Sequence, residues 1–137
     1  MILFYKEVLR DIRYIELKTG FHDDGPAWIG KVKASKTGRT IYFNDHAFQR
    51  YNGGLGNFYD VETGEIYWIS GIKKNGQDRH WAGKGKVMID EKVVVEYLAL
   101  TGAESLDTRI FTVVTIEDRY PVERVRALLN RKEGQDA

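Results

Sequence analysis

The stretch Gly56–Gly83, GNFYDVETGEIYWISGIKKNGQDRHWAG, decides the fold class of this chain. Two turn signals, Thr63-Gly64 and Asn75-Gly76, divide it into three strand-like pieces, the pattern of an antiparallel meander. With a two-residue loop at each turn, Glu62 faces Glu65, Val61 faces Ile66 and Tyr59 faces Trp68. In the second hairpin Lys74 faces Gln77, Ile72 faces Arg79 and Ser70 faces Trp81, and Lys73 lies opposite Asp78 as a cross-strand charge pair. Alternation then collects Tyr59, Val61, Ile66, Trp68, Ile72 and Trp81 on a core face and leaves Asp60, Tyr67, Ile69, Lys73, Asp78 and His80 on a mixed one.

Working outward, Arg13–Lys18 alternates as a strand with Ile15 and Leu17 on one face, and the Asp-Asp-Gly-Pro centre of FHDDGPAW makes residues 21–28 a loop. Trp28–Ala34 and Thr40–Asn44 flank a Thr37-Gly38 turn that pairs Ala34 with Ile41 and Val32 with Phe43. Trp28, Val32, Ala34, Ile41 and Phe43 form its apolar face; Ile29, Lys31, Lys33, Tyr42 and Asn44 form the other. Asp45 is placed to cap a short helical turn through Ala47, Phe48 and Tyr51, ended by Gly53-Gly54. Lys86–Ile89 reads as a closing strand, Asp90 as an N-cap, and Val94, Tyr97 and Leu98 as a helical stripe ending at Gly102. After a polar connector at 103–108, Arg109–Ile116 is β-branched and Pro121 opens a second helix carrying Val122, Val125, Leu128 and Leu129.

The expected architecture is α+β: an antiparallel, strongly bent β-sheet or small open barrel with two C-terminal helices. Residues 1–102 form the β-rich main domain with its closing helix, and residues 103–137 form a strand-helix extension docked on it or on a second subunit, because so short a pair cannot bury its own apolar faces. The blocks GPAWIG (Gly25–Gly30), TIYFN (Thr40–Asn44), DVETGEIYWISG (Asp60–Gly71) and KNGQDRHWAG (Lys74–Gly83) resemble a family of small uncharacterised bacterial proteins. The resemblance covers residues 12–100 and brings no activity, cofactor or site residue with it.

Composition narrows the function classes. The 21 basic and 20 acidic side chains leave a net charge of +1, so the whole chain has no electrostatic bias towards nucleic acid or acidic lipid. The distribution is uneven: residues 31–86 hold ten basic and five acidic side chains, and residues 87–137 hold seven and ten. The absence of cysteine excludes disulfides, thiolate metal sites and a cysteine nucleophile. The opening run Met1–Tyr5 is too short, and too soon followed by charges, for a signal peptide or membrane span, so a cytoplasmic protein without a membrane partner is expected.

No motif carries chemistry. His22, His46 and His80, with Asp23, Asp24, Asp45 and Asp78 nearby, are the raw material for a metal site or for a small hydrolase, but they lack metal-ligand spacing; no metal or cofactor is implied. The 14 glycines fit neither phosphate-loop pattern, and no nucleophile elbow surrounds Ser35, Ser70 or Ser105. What remains is a basic-aromatic sheet surface, comprising Lys31, Lys33, Tyr42, Tyr67, Lys73, Arg79 and His80, with Lys84 and Lys86 beyond. Exposed aromatics interleaved with cations suit weak binding of single-stranded nucleic acid, bases stacking and lysines meeting phosphates. The same residue types serve protein–protein contact, and self-association is expected to reside in the Arg109–Ile116 strand.

Overall fold

The computed structural model describes residues 11–18, 25–79 and 85–135, with side chains to residue 129. The strands are β1 (Ile12–Leu17), β2 (Ala27–Lys31), β3 (Lys33–Ala34), β4 (Thr40–Phe43), β5 (His46–Arg50), β6 (Phe58–Asp60), β7 (Ile66–Gly71), β8 (Val87–Asp90) and β9 (Phe111–Val114). A 3₁₀ turn at Glu91–Val93 leads into α1 (Val94–Thr101), and α2 (Val122–Gln135) follows β9. The described strands form one nine-stranded sheet in the order β3-β4-β5-β6-β7-β1-β2-β8-β9. It is strongly curled into a half-barrel, and α+β describes it.

The sheet is not wholly antiparallel. β2–β8 and β8–β9 pair in parallel, whereas the other ladders are antiparallel. The cause lies in the crossovers: α1 connects β8 to β9 and returns the chain to the same end of the sheet, as a helical crossover does.

Both faces of the sheet are covered. The concave face holds Ile15, Val32, Phe43, Phe48, Phe58, Tyr67, Ile69 and Ile116. On the convex face Ile12, Tyr14, Ala27, Ile29, Val87 and Ile89 pack beneath Val93 and Tyr97, while Tyr42 and Ala47 pack beneath Val125 of α2. A one-sided sheet was the wrong premise for assigning faces, and three readings change with it. Tyr67 and Ile69 are core and Trp68 is 41% exposed, the reverse of the expected sides. Trp28 is half-buried, and Trp81 lies outside the described residues.

Register divides in the same way. Ala34↔Ile41 pairs as the turn chemistry requires, with Lys33↔Tyr42 beside it, around a Lys36–Arg39 loop in which Gly38 is left-handed. At Thr63-Gly64 the loop is longer than two residues: Asp60 N–H donates to the Glu65 carbonyl, and Tyr59 pairs with Ile66 instead of Trp68. The Asp60 carboxylate accounts for the extra residues, since one of its oxygens accepts from Glu62 N at 2.8 Å and Thr63 N at 3.2 Å and folds the chain into an Asx turn. Residues 46–50 form a strand rather than a helical turn. Asn44 and Asp45 both have positive φ, the geometry of a two-residue type I′ hairpin joining β4 to β5, and Ala47 and Phe48 are then buried on opposite faces.

Of the third strand of the expected meander, residues 77–79 are not in a strand and the rest lies outside the described residues. β7 has β6 on one side and β1 on the other. Beyond it Gly76 N–H donates to Lys73 O, only Gly76 of the Asn75-Gly76 pair has positive φ, and Lys73 meets Asp78 through its backbone N–H at 2.8 Å. Arg13–Lys18 and Lys86–Ile89 are strands within a residue of the expected limits. Asp90 caps the 3₁₀ turn by accepting from Lys92 N, and Gly102 ends α1 in the left-handed region, both as their residue types demand.

Candidate ligand-binding cleft

The starts of β8 and β9 lie side by side because the two strands are parallel, and so Lys86 and Arg109, each just before its strand, come to the same end of the sheet. The 73–79 turn closes over that end. Between them is a cleft of about 460 Å³, with Ile29, Val87, Ile110 and Phe111 as its apolar wall and Gln77, Asp78, Arg79, Lys86 and Arg109 as its polar rim. That volume lies within the range of small-molecule sites, roughly 300–1,000 Å³.

The turn is held by its own side chains. Asn75 Oδ1 accepts from Gln77 N at 2.9 Å and Asp78 Oδ1 accepts from Lys73 N at 2.8 Å. The other carboxylate oxygen of Asp78 is buried with no hydrogen-bond partner among the described residues. Burial raises the Asp78 pKa, against the opposing effects of the Lys73 N–H and the lysine charge. Gly76 sits where a β-carbon would come within 3.5 Å of the Tyr97 hydroxyl, which also has no described partner. Burial, followed by the charge of Asp78, pushes the Tyr97 phenol up to about 12.

Arg79 is anchored from behind: its Nη2 donates to the Gly25 carbonyl at 2.7 Å. Near it a buried polar group closes the end of β1, where Tyr14 donates to Glu16 Oε1 at 2.5 Å and Lys18 donates to Glu16 Oε2 at 2.8 Å. Glu16 is only 2% exposed, and the Lys18 ammonium offsets the cost of burying its charge. Burial and the Glu16 hydrogen bond both raise the Tyr14 phenol, keeping it a donor. Arg109, on the outer lip, grips Asp107 through Nε at 3.1 Å and Nη2 at 2.9 Å, and this contact holds the Asp107 carboxyl below its ordinary range.

The residues singled out from sequence are not gathered into one surface. Arg79 and Lys86 are in the cleft, and Lys73 is exposed on the turn beside it. Lys31 and Lys33 are exposed at a distance along the sheet, the Lys33 ammonium 5.7 Å from the Tyr120 ring centroid. Tyr42 and Tyr67, each 5% exposed, cannot stack bases from solvent: α2 covers the first, and the second packs inside the curl with its ring 4.6 Å from Phe48. His80, His22 and Lys84 lie outside the described residues. His46 is at the concave end of the sheet, its Nδ1 2.9 Å from the fully buried Asp60 carboxylate. Among the described residues no three histidine or carboxylate side chains converge to hold a metal ion.

Lys86 and Arg109 acquire their place through parallel pairing, and Asp78 through the turn that follows β7. The visible signal was a cation directly before each apolar β-branched run, at Lys86-Val87 and Arg109-Ile110, but nothing local shows that two such strand starts are neighbours. No family model, curated protein or solved structure matches the chain.

Proposed function

We propose that this is a binding protein rather than an enzyme, and that its ligand is an anion with a flat or apolar body, such as a nucleotide unit of a single strand. The observation that carries this reading is the cleft itself, which sets an Ile29-Val87-Ile110-Phe111 wall beside the cations Arg79, Lys86 and Arg109. An aromatic or aliphatic wall accepts a base by contact, and the rim cations meet phosphate or carboxylate. Affinity of this kind depends on few phosphates and is modest at physiological salt.

Titration of labelled single-stranded oligonucleotides and of mononucleotides at several salt concentrations tests it. Binding should weaken with salt at a slope of about 0.7 per phosphate neutralised, and Lys86→Ala with Arg109→Ala should flatten the slope. The Lys31→Ala/Lys33→Ala pair should leave it unchanged, which separates the cleft from the β2–β3 surface. No binding at low salt, or binding indifferent to Lys86 and Arg109, ends the proposal.

A further inference from the structure

β9 is the outer strand of the described sheet, and its sequence lacks the devices that normally blunt an edge. From Ile110 to Ile116 there is no charged residue, proline or glycine, and Ile110 and Val113 are exposed. The phase of its free hydrogen bonds follows from the parallel ladder. Val87 N donates to the Ile110 carbonyl, and since a parallel ladder uses alternate residues, Thr112 and Val114 give their main-chain groups to β8. Val113 therefore turns both its N–H and its carbonyl outward. Ile116 N points back to Asp90 Oδ1 at 3.5 Å, which turns the Thr115 N–H outward too. Phe111 N is taken up by the Asp107 carbonyl at 2.9 Å, leaving the Phe111 carbonyl free on that edge.

We propose that β9 pairs with β9 of a second copy of this chain, antiparallel about a two-fold axis through Val113. In that register each Val113 exchanges both main-chain hydrogen bonds with its counterpart. Each Thr115 N–H reaches the Phe111 carbonyl of the other copy, so the occupied Phe111 N–H is not required. The flanking charges are complementary in an antiparallel pair, because the turn that carries Arg109 before β9 comes beside the segment after β9 that carries Glu117 in the other copy. In the single chain both charges rest on near neighbours at the surface, Arg109 on Asp107 and Glu117 on Arg119 at 2.5 Å. Such surface pairs are exchanged at little cost. A register centred one residue away would present the inward-facing groups of Thr112 or Val114 and lose this match. The contact is short, so the dimer forms reversibly and depends on concentration. It does not rest on the ligand reading, although it places the second copy beside the Arg109 lip of the cleft.

The chain has no cysteine, so one introduced thiol reports the register directly. Directly opposed residues of a hydrogen-bonded antiparallel pair have Cα atoms about 5.5 Å apart, within the span of a disulfide. Val113→Cys in the full chain should form a disulfide dimer under mild oxidation many-fold faster than Thr112→Cys, which faces Val114 of the other copy. Sedimentation velocity over a concentration series should show a monomer–dimer equilibrium that Val113→Lys shifts to monomer. Glu117→Arg should weaken the dimer, and adding Arg109→Glu should restore it. A chain that stays monomeric at the highest concentrations reached, or a Val113→Cys variant that crosslinks no faster than Thr112→Cys, overturns the proposal. So does a dimer untouched by Val113→Lys.

Discussion

Gly30→Ala tests the concave core at its tightest point. A β-carbon at Gly30 would lie 2.6 Å from Phe43 Cε1 and 3.2 Å from Cζ, against 3.6 Å from Ile116 Cδ1. Only the first two are too close, Cε1 by about an ångström and Cζ by about a few tenths relative to ordinary contact. The Phe43 ring is 2% exposed and enclosed by the Val32 and Phe48 side of the curl, so it has no free volume into which to withdraw. Overpacking of this kind costs about 1–3 kcal/mol, offset by roughly 0.5–1 kcal/mol because alanine loses less backbone entropy than glycine in a strand. The net expectation is a loss of about 1–2 kcal/mol, lowering the thermal midpoint by roughly 3–8 °C in a domain of this size. Phe43→Leu removes the ring edge that clashes. In urea denaturation of the two single variants and the double, the double should be more stable than the sum of the singles by about 1 kcal/mol. A neutral Gly30→Ala, or strict additivity with Phe43→Leu, would refute the close approach of β2 to β4 across the curl.

Three further outcomes follow from burial and charge. The folded pKa of Asp78 is raised, so ionisation weakens the fold as pH rises through that value; Asp78→Asn, which keeps the acceptor for Lys73 N, should raise the thermal midpoint at neutral pH and lose its advantage in acid, and a destabilised variant at pH 7 would contradict this. Tyr67 and Tyr97 are both pushed up to about 12, so stability intact below about pH 10 should fall as pH rises through about 12, and Tyr97→Phe should reduce that loss in alkaline melts followed by circular dichroism. Trp68 is accessible and Trp28 half-buried, so Trp68→Phe should remove a red-shifted, iodide-quenchable part of the emission; unchanged quenching would place Trp68 inside.

Legibility in the sequence followed the range of the interaction. Asp90, Gly102 and the Ala34↔Ile41 register were readable because a cap, a left-handed terminator and a tight hairpin are decided by residues a few positions apart. The two-residue loop at Thr63-Gly64 failed because Asp60, buried and bonded to two loop amides, is a stronger organiser than the Gly dipeptide. Trp68 and Tyr67 were exchanged because alternation fixes which residues share a face but not which face is covered. Here α1, α2 and the curl itself cover nearly everything except the convex strip that carries Trp68. Of the candidate site Arg79 and Lys86 were named from the sequence, but that Lys86 meets Arg109 follows from a parallel pairing that no turn announces.

The central position of β1 bears on how the chain reaches its fold. β3 to β7 lie side by side in chain order and assemble locally, as do β1 and β2. These two blocks are covalently linked at Val32, where the chain leaves β2 for β3, and they hydrogen-bond to each other through the β1–β7 ladder that pairs Arg13 with Gly71 and Leu17 with Tyr67. That ladder and the parallel β2–β8 ladder, which pairs Ala27 with Val87, are the long-range seams among the described strands, and their closure carries the loop entropy that local hairpins avoid. A growing chain holds β1 with one open edge until β7 has been made. These two long-range ladders, rather than any single hairpin, are therefore expected to set the folding rate.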